Sequence, residues 1–172
     1  METMTNLHIS QHALEQWLYQ MVNSKIEVFA PVHDGEKTDF RLLAFGDKVA
    51  DDYVQTTQSA KRFAFPKAEK LFSYRKEGKD VTLQERDLND FPEIVLWKVR
   101  PCDAAGFAPL TGIFNWDYKD DIYNARRDKI TLVSFSCTRC DEYCFCTSEQ
   151  TGTYYQIIIF FHNHLVSSCC LR

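Results

Sequence analysis

Between Ser10 and Asn23 the apolar residues Leu14, Trp17, Leu18 and Met21 recur three and four positions apart, with Glu15, Gln16 and Gln20 between them. This is the stripe of an amphipathic helix, and its apolar side is expected to pack onto a sheet. From Lys25 to Val32 the period shortens to two: Ile26, Val28 and Ala30 alternate with Lys25 and Glu27 until Pro31 interrupts. Asp34-Gly35 offers a turn and Phe40 to Phe45 reads as a second strand, so the two strands are expected as a hairpin or as neighbours.

The stretch from Asp47 to Val81 is polar and weakly periodic. Within it Pro66 points to a short helical turn followed by an extended piece, because proline is pre-set for a first helical position. Ile94 to Val99 is a nearly continuous apolar strand, after which Pro101 opens a helix and leaves Cys102 at the strand-to-helix corner. Asn115 to Asp128 is aromatic and acidic, with Asp120-Asp121 as ordinary loop acids. It leads into Ile130 to Phe135, a buried-looking strand that delivers a cysteine loop at its end. Tyr154 to Phe161 reads as one more strand; His162 to Arg172 carries no pattern of a helix or a closing turn.

Strand, helix, strand and ligand loop in that order is the logic of an α/β fold: a mixed sheet with flanking helices and cysteine loops at one sheet edge. If Ile94–Val99 and Ile130–Phe135 are parallel neighbours joined by a crossover, Cys102 and Cys137 leave the same edge, where open α/β sheets place their ligands.

The 172 residues, 45% of them hydrophobic and 26% charged, suffice for one globular domain. A formal charge of -4 and the lack of any basic tract beyond pairs such as Lys61-Arg62 and Arg126-Arg127 give no electrostatic basis for nucleic-acid binding. Met1 to Asn6 does not read as a secretory signal, and the longest apolar run, Ile157 to Phe161, is far short of the roughly 20 residues that span a bilayer. A cytoplasmic chain without a membrane span is expected.

The chemistry is concentrated in Cys137-Thr-Arg-Cys140-Asp-Glu-Tyr-Cys144-Phe-Cys146, four thiols within ten residues. Seven cysteines, an odd number bunched toward the C-terminus, fit metal ligation in a reducing compartment better than a disulfide framework. Iron–sulfur clusters are held most often by four thiolates at short spacings. Cys137, Cys144 and Cys146 supply three, and the fourth is Cys140 or Cys102, with the sheet-edge geometry favouring Cys102. Thiolates at a helix N-terminus beside cations are expected to have depressed pKa values, and Arg100, Arg126 and Arg127 are the candidate cations, which would also raise the potential of an anionic cluster. Their plainer role is salt bridging to Asp103, Asp117, Asp120 or Asp121. A structural zinc site is the main alternative, although zinc usually takes paired Cys-x-x-Cys knuckles and only Cys137/Cys140 has that spacing. Cys169 and Cys170 read as incidental, and His162 and His164 as exposed histidines. No glycine-rich phosphate loop and no acid–base–nucleophile set is evident.

Three segments carry a family resemblance: Val99-Arg100-Pro101-Cys102-Asp103-Ala104, then Asp121-Ile122-Tyr123-Asn124-Ala125-Arg126-Arg127, then Cys137 with six residues before Cys144-Phe145-Cys146-Thr147-Ser148. Together they resemble the N-terminal half of the 4Fe-4S dicluster proteins, which include beta subunits of cytoplasmic nickel–iron hydrogenases (sulfhydrogenases) and the corresponding iron–sulfur subunits of anaerobic sulfite reductases. Upstream, Phe65-Pro66-Lys67-Ala68-Glu69 is similar to the family's Phe-Pro-x-x-Glu segment. The resemblance implies an electron-transfer subunit, with Cys102, Cys137, Cys144 and Cys146 matching the family's cysteines and Cys140 outside the pattern. Its implied partners are a catalytic subunit of a redox complex and another electron-carrier subunit. On this basis residues 1–152 form an iron–sulfur domain. Residues 153–172 lack the family's two ferredoxin-type Cys-x-x-Cys-x-x-Cys-x-x-x-Cys-Pro motifs and read as an atypical tail, as a premature stop or shifted frame produces.

Overall fold

The computed structural model describes residues 6–24, 26–137, 139–144, 146, 156–161 and 164–171. Strand β1 (Asn6–Ile9) leads to Ser10, whose hydroxyl accepts the Ala13 N–H at 3.2 Å and caps helix α1 (Gln11–Val22). Strands β2 (Glu27–Asp34) and β3 (Lys37–Leu42) form a hairpin as expected, although β3 begins directly after the turn and ends at Leu42, not spanning Phe40 to Phe45, with Gly35 at φ 61° in the two-residue turn.

The next segment departs from expectation. The helical turn lies at Ala60–Phe63, ahead of Pro66, and its start is held by acceptors that Pro66 lacks. The Ser59 hydroxyl accepts the Lys61 N–H at 3.2 Å and the distant Asp103 carboxylate accepts the Ala60 N–H at 3.2 Å. The extended piece is a complete hairpin, β4 (Phe72–Glu77) and β5 (Asp80–Glu85), turned at Gly78.

Strand β6 (Ile94–Val99), the short helices α2 (Pro101–Ala105), α3 (Phe107–Phe114) and α4 (Asp121–Asp128), and strand β7 (Ile130–Phe135) follow. Pro101 stands in the first turn of α2, as expected. Asp120, expected as a loop acid, is the N-cap of α4 and accepts the Tyr123 N–H at 2.8 Å. Strand β8 (Gln156–Phe161) matches the apolar run. The final stretch, patternless in sequence, forms β9 (His164–Leu171), including Cys169 and Cys170. Pairing between β8 and β9 supplies what the local sequence lacks, an antiparallel partner. His162 lies outside the described residues.

Seven strands make one mixed sheet in the order β1-β9-β8-β7-β6-β2-β3, and β4-β5 stands apart. β2, β6 and β7 are mutually parallel, β1 is parallel to β9, and the remaining pairs are antiparallel. The fold is α/β, with helices on both faces. Leu14 and Met21 of α1 pack with Val95, Trp97, Val133 and Phe135 on one face. On the other, Leu96, Val99, Ile130 and Leu132 pack with Ala60, Ala64, Ala104, Phe107 and Tyr123 from the Ala60–Phe63 turn and from α2 to α4. Among the described residues no helix is long and apolar enough to cross a membrane.

Candidate metal centre

β6 and β7 lie side by side and parallel, Ile94 opposite Ile130 and Leu96 opposite Leu132, so their C-terminal ends emerge together. A β-bulge sharpens that exit. Lys98 has φ 64°, rare for a residue with a Cβ, and the register shifts between Trp97 and Val99. The extra residue turns Val99 onto the face of α2 to α4 and leaves Lys98 on the other, its Nζ 5.7 Å from the Phe135 ring centroid and paired with Asp51. Arg100 then caps α2 without a side-chain bond to it, and Cys102 falls in the first turn.

Cys102, Cys137, Cys144 and Cys146 are partly buried, and Cys140 is exposed. Cys102 feels the charges of Cys146 and Cys137, Cys137 feels Cys146 and Cys140, and Cys144 feels Cys146. The structure thus brings sulfur from the end of β6 toward the loop after β7, 35 residues later in the chain. The Asp141 backbone N–H donates to Cys144 at 3.3 Å, and the Asp103 backbone N–H and the Arg100 guanidinium favour the ionised forms of Cys102 and Cys137. Cys144 in turn donates to the Asp141 carboxylate at 3.2 Å. Phe145, Thr147 and Ser148 of the cysteine motif lie outside the described residues.

The expected depression of thiol pKa values is not found. Burial, first, and then Cys146, Asp103 and Cys137 push Cys102 up; burial pushes Cys137 up despite the opposing pull of Arg100. At Cys144 the Asp141 N–H pulls down, but the Asp141 carboxylate and burial outweigh it. Crowded thiols disfavour one another's ionisation, and a five-residue helix with one guanidinium does not offset that.

Arg100 is the cation at the cysteines. It is only 7% exposed, stacks 3.9 Å from the centroid of Tyr53, and keeps its buried Nε without a hydrogen-bond partner among the described residues. An orphaned guanidinium nitrogen beside sulfur is suited to an anionic group. Tyr53, itself buried, donates its hydroxyl to the Lys98 carbonyl, and burial pushes its own pKa well up. Arg139, inside the cysteine loop, donates to the Asp52 carbonyl. The segment Asp51-Asp52-Tyr53 therefore ties the bulge, Arg100 and the cysteine loop together. Sequence reasoning misses Tyr53 because nothing around it repeats; a lone tyrosine in a polar stretch is the only signal.

Arg126 and Arg127 are not brought to the thiols. α4 runs directly into the start of β7, so both arginines sit at the opposite end of that strand, roughly 20 Å from Cys137 at about 3.3 Å per residue. Arg126 pairs with Glu69, donates to the Ala64 carbonyl at 2.8 Å and lies 4.8 Å from the Phe91 ring centroid. Arg127, 2% exposed, donates to the Ile130 carbonyl at 2.9 Å and stacks 5.1 Å from the Phe107 centroid. The ion-pair partner of Arg126 is thus Glu69, not one of the expected aspartates. Glu69 ends the Phe-Pro-x-x-Glu segment, so two of the motifs singled out in the sequence meet as a structural clasp.

Asp103 makes a second clasp on the same upstream segment. Its carboxylate accepts from the Ser59 hydroxyl at 2.7 Å, from the Ala60 N–H and from Lys61 Nζ at 3.0 Å. Lys61 reaches it across Gly106, where an added Cβ would stand 2.8 Å from Nζ.

A cleft of about 510 Å³ opens on the far side of Arg100, floored by Leu14, Leu18, Trp97 and Phe135. Its polar rim includes Lys48, Asp47 and Asp51. Among the described residues no group of three or more His, Cys, Asp or Glu side chains is drawn closely enough to hold a metal ion. The sulfurs do not form a closed ligand set among these residues, and Cys144 must leave the Asp141 carboxylate to join one. Comparison with family models, curated proteins and solved structures finds no match to this chain.

Proposed function

We propose that the chain is an electron-transfer subunit, or part of one, in which Cys102, Cys137, Cys144 and Cys146 hold a 4Fe-4S cluster. The observation that carries this is the approach of Cys102, Cys137 and Cys146 to one another, close enough to feel each other's charge, with the Arg100 guanidinium favouring the ionised Cys137 and the Asp141 N–H donating to Cys144. Hydrogen bonds to cluster sulfur, together with burial and local charge, are how a protein sets a cluster potential. A bound cluster supplies one-electron transfer. The chain's own residues orient the sulfurs, offset their negative charge through Arg100, and partly screen them from water. Such a relay needs no acid, base or nucleophile.

By the resemblance in Arg-Pro-Cys-Asp and Cys-x6-Cys-Phe-Cys, the partners are another electron carrier and the catalytic subunit of a hydrogenase or sulfite reductase-type complex, in the cytoplasm. Neither nucleic acid nor a membrane is part of this reading. Anaerobic reconstitution with iron and sulfide is the test. The loaded chain is expected to be brown, to bleach with dithionite, and to give the paramagnetic signal of a reduced cluster. One zinc per chain with no bound iron would instead assign the thiols to a structural zinc site, with Cys140 joining Cys137 as a knuckle.

A further inference from the structure

The β4–β5 hairpin has an uncovered apolar face. Phe72 lies opposite Glu85, Tyr74 opposite Leu83 and Lys76 opposite Val81, and residues directly opposite in an antiparallel pair share a face. One side of the hairpin therefore carries Phe72, Tyr74, Val81 and Leu83, with Lys76 toward the turn and Glu85 at the base. The other carries Ser73, Arg75, Glu77, Asp80, Thr82 and Gln84. The four apolar residues are 56%, 69%, 58% and 65% exposed. An isolated two-stranded hairpin is marginal in water, and such a face is stabilised by being covered.

The pattern is complementary to itself. Turning one copy over another about a two-fold axis perpendicular to the strands sets the turn of each hairpin over the base of the other, with the sheets about 10 Å apart. Tyr74 then meets its own symmetry mate, Leu83 meets Leu83, and the positive Lys76 of each copy reaches the base of the other, where Glu85 sits beside Phe72. Like charges are kept apart and opposite ones brought near, which fixes the direction of packing.

We propose that two copies of this chain associate through the Phe72/Tyr74/Val81/Leu83 faces of their β4–β5 hairpins, with Lys76 of each copy paired to Glu85 of the other. Six residues per strand make this a small interface, so the dimer is weak and reversible. Sedimentation velocity on the full chain, under reductant to prevent thiol cross-links, tests it from micromolar towards millimolar concentration. The chain is expected to shift from monomer to dimer, and Leu83→Glu to raise the dimer Kd by about tenfold or more. Lys76→Glu and Glu85→Lys each weaken association several-fold, and the two together restore it. All four substituted chains keep the far-UV spectrum of the parent, because the sites are exposed. A chain that stays monomeric throughout, or a dimer indifferent to Leu83→Glu and to the charge reversal, overturns the proposal.

Discussion

At the scale of single residues, Arg100 is the group whose chemistry is most specific to the proposed relay. Its positive charge favours the ionised form of Cys137 and its Nε is buried without a partner among the described residues. Arg100→Gln removes the positive charge next to cluster sulfur, so the reconstituted protein is expected to keep its iron but show a more negative midpoint potential in a redox titration. An unchanged potential would place Arg100 outside the cluster's influence. For the ligands themselves, Cys144→Ser is expected to lose most of the iron and Cys169→Ser none, and equal iron in both contradicts the assignment. The metal-free chain gives a pH signature. Cys102 and Cys137 are pushed up, so folding favours their neutral forms. That contribution is fully present below the ordinary thiol value of about 8.5 and is lost as pH rises through the higher folded-state values. The apo chain's Tm is therefore expected to fall above that pH, and Cys102→Ser to flatten the fall. The cysteines stand out in the sequence because four of them fall within ten residues. Tyr53 and Asp103 do not, because their work is done on residues about 45 positions away, the Tyr53 hydroxyl on Lys98 and the Asp103 carboxylate on Ser59.

At the scale of elements, the motif Arg100-Pro101-Cys102-Asp103 divides its labour. Cys102 faces the thiols, while Asp103 holds the Ala60–Phe63 turn against α2 through three acceptor contacts. Asp103→Ala leaves the Ala60 N–H and Lys61 without that acceptor and is expected to cost about 1–3 kcal/mol in urea unfolding, the range for hydrogen bonds to a charged group. Leu96→Ala, in the centre of β6 with no exposure, is expected to cost more, about 2–5 kcal/mol. The buried strands Ile94–Val99 and Ile130–Phe135 are legible in the sequence with their observed bounds, since both faces of a central parallel strand are covered and the chain there is apolar throughout. The bulge at Lys98 is not legible: nothing in Trp97-Lys98-Val99 marks a residue with φ 64°. The β4–β5 hairpin does carry a signal, Phe72 and Tyr74 alternating before Gly78 and Val81 and Leu83 after it. Charged residues crowding the turn hide it.

At the scale of the whole molecule, the fold puts structure and chemistry at opposite ends of the same two strands. The Arg126–Glu69 clasp and Arg127 fix the start of β7, and Cys137 follows its finish, beside the end of β6 from which Cys102 leaves. This division explains why the Arg-Arg pair, expected beside the cysteines as a source of positive charge, has a structural role instead: α4 must enter β7 from below the sheet edge that the cysteines leave. The parallel pairing of β6 and β7 follows from one crossover through α2, α3 and α4 and is anticipated by the strand–helix–strand order. The pairing of β9 with β1 joins stretches about 160 residues apart and has no local trace. The central claim is that sulfur from two distant stretches holds one cluster, and the direct measurement is the iron and acid-labile sulfide content of the anaerobically reconstituted chain beside its Cys102→Ser variant. About four iron and four sulfide per parent chain, with most of the iron lost in the variant, is the expected result. Equal iron in the two chains, or none in the parent, contradicts it.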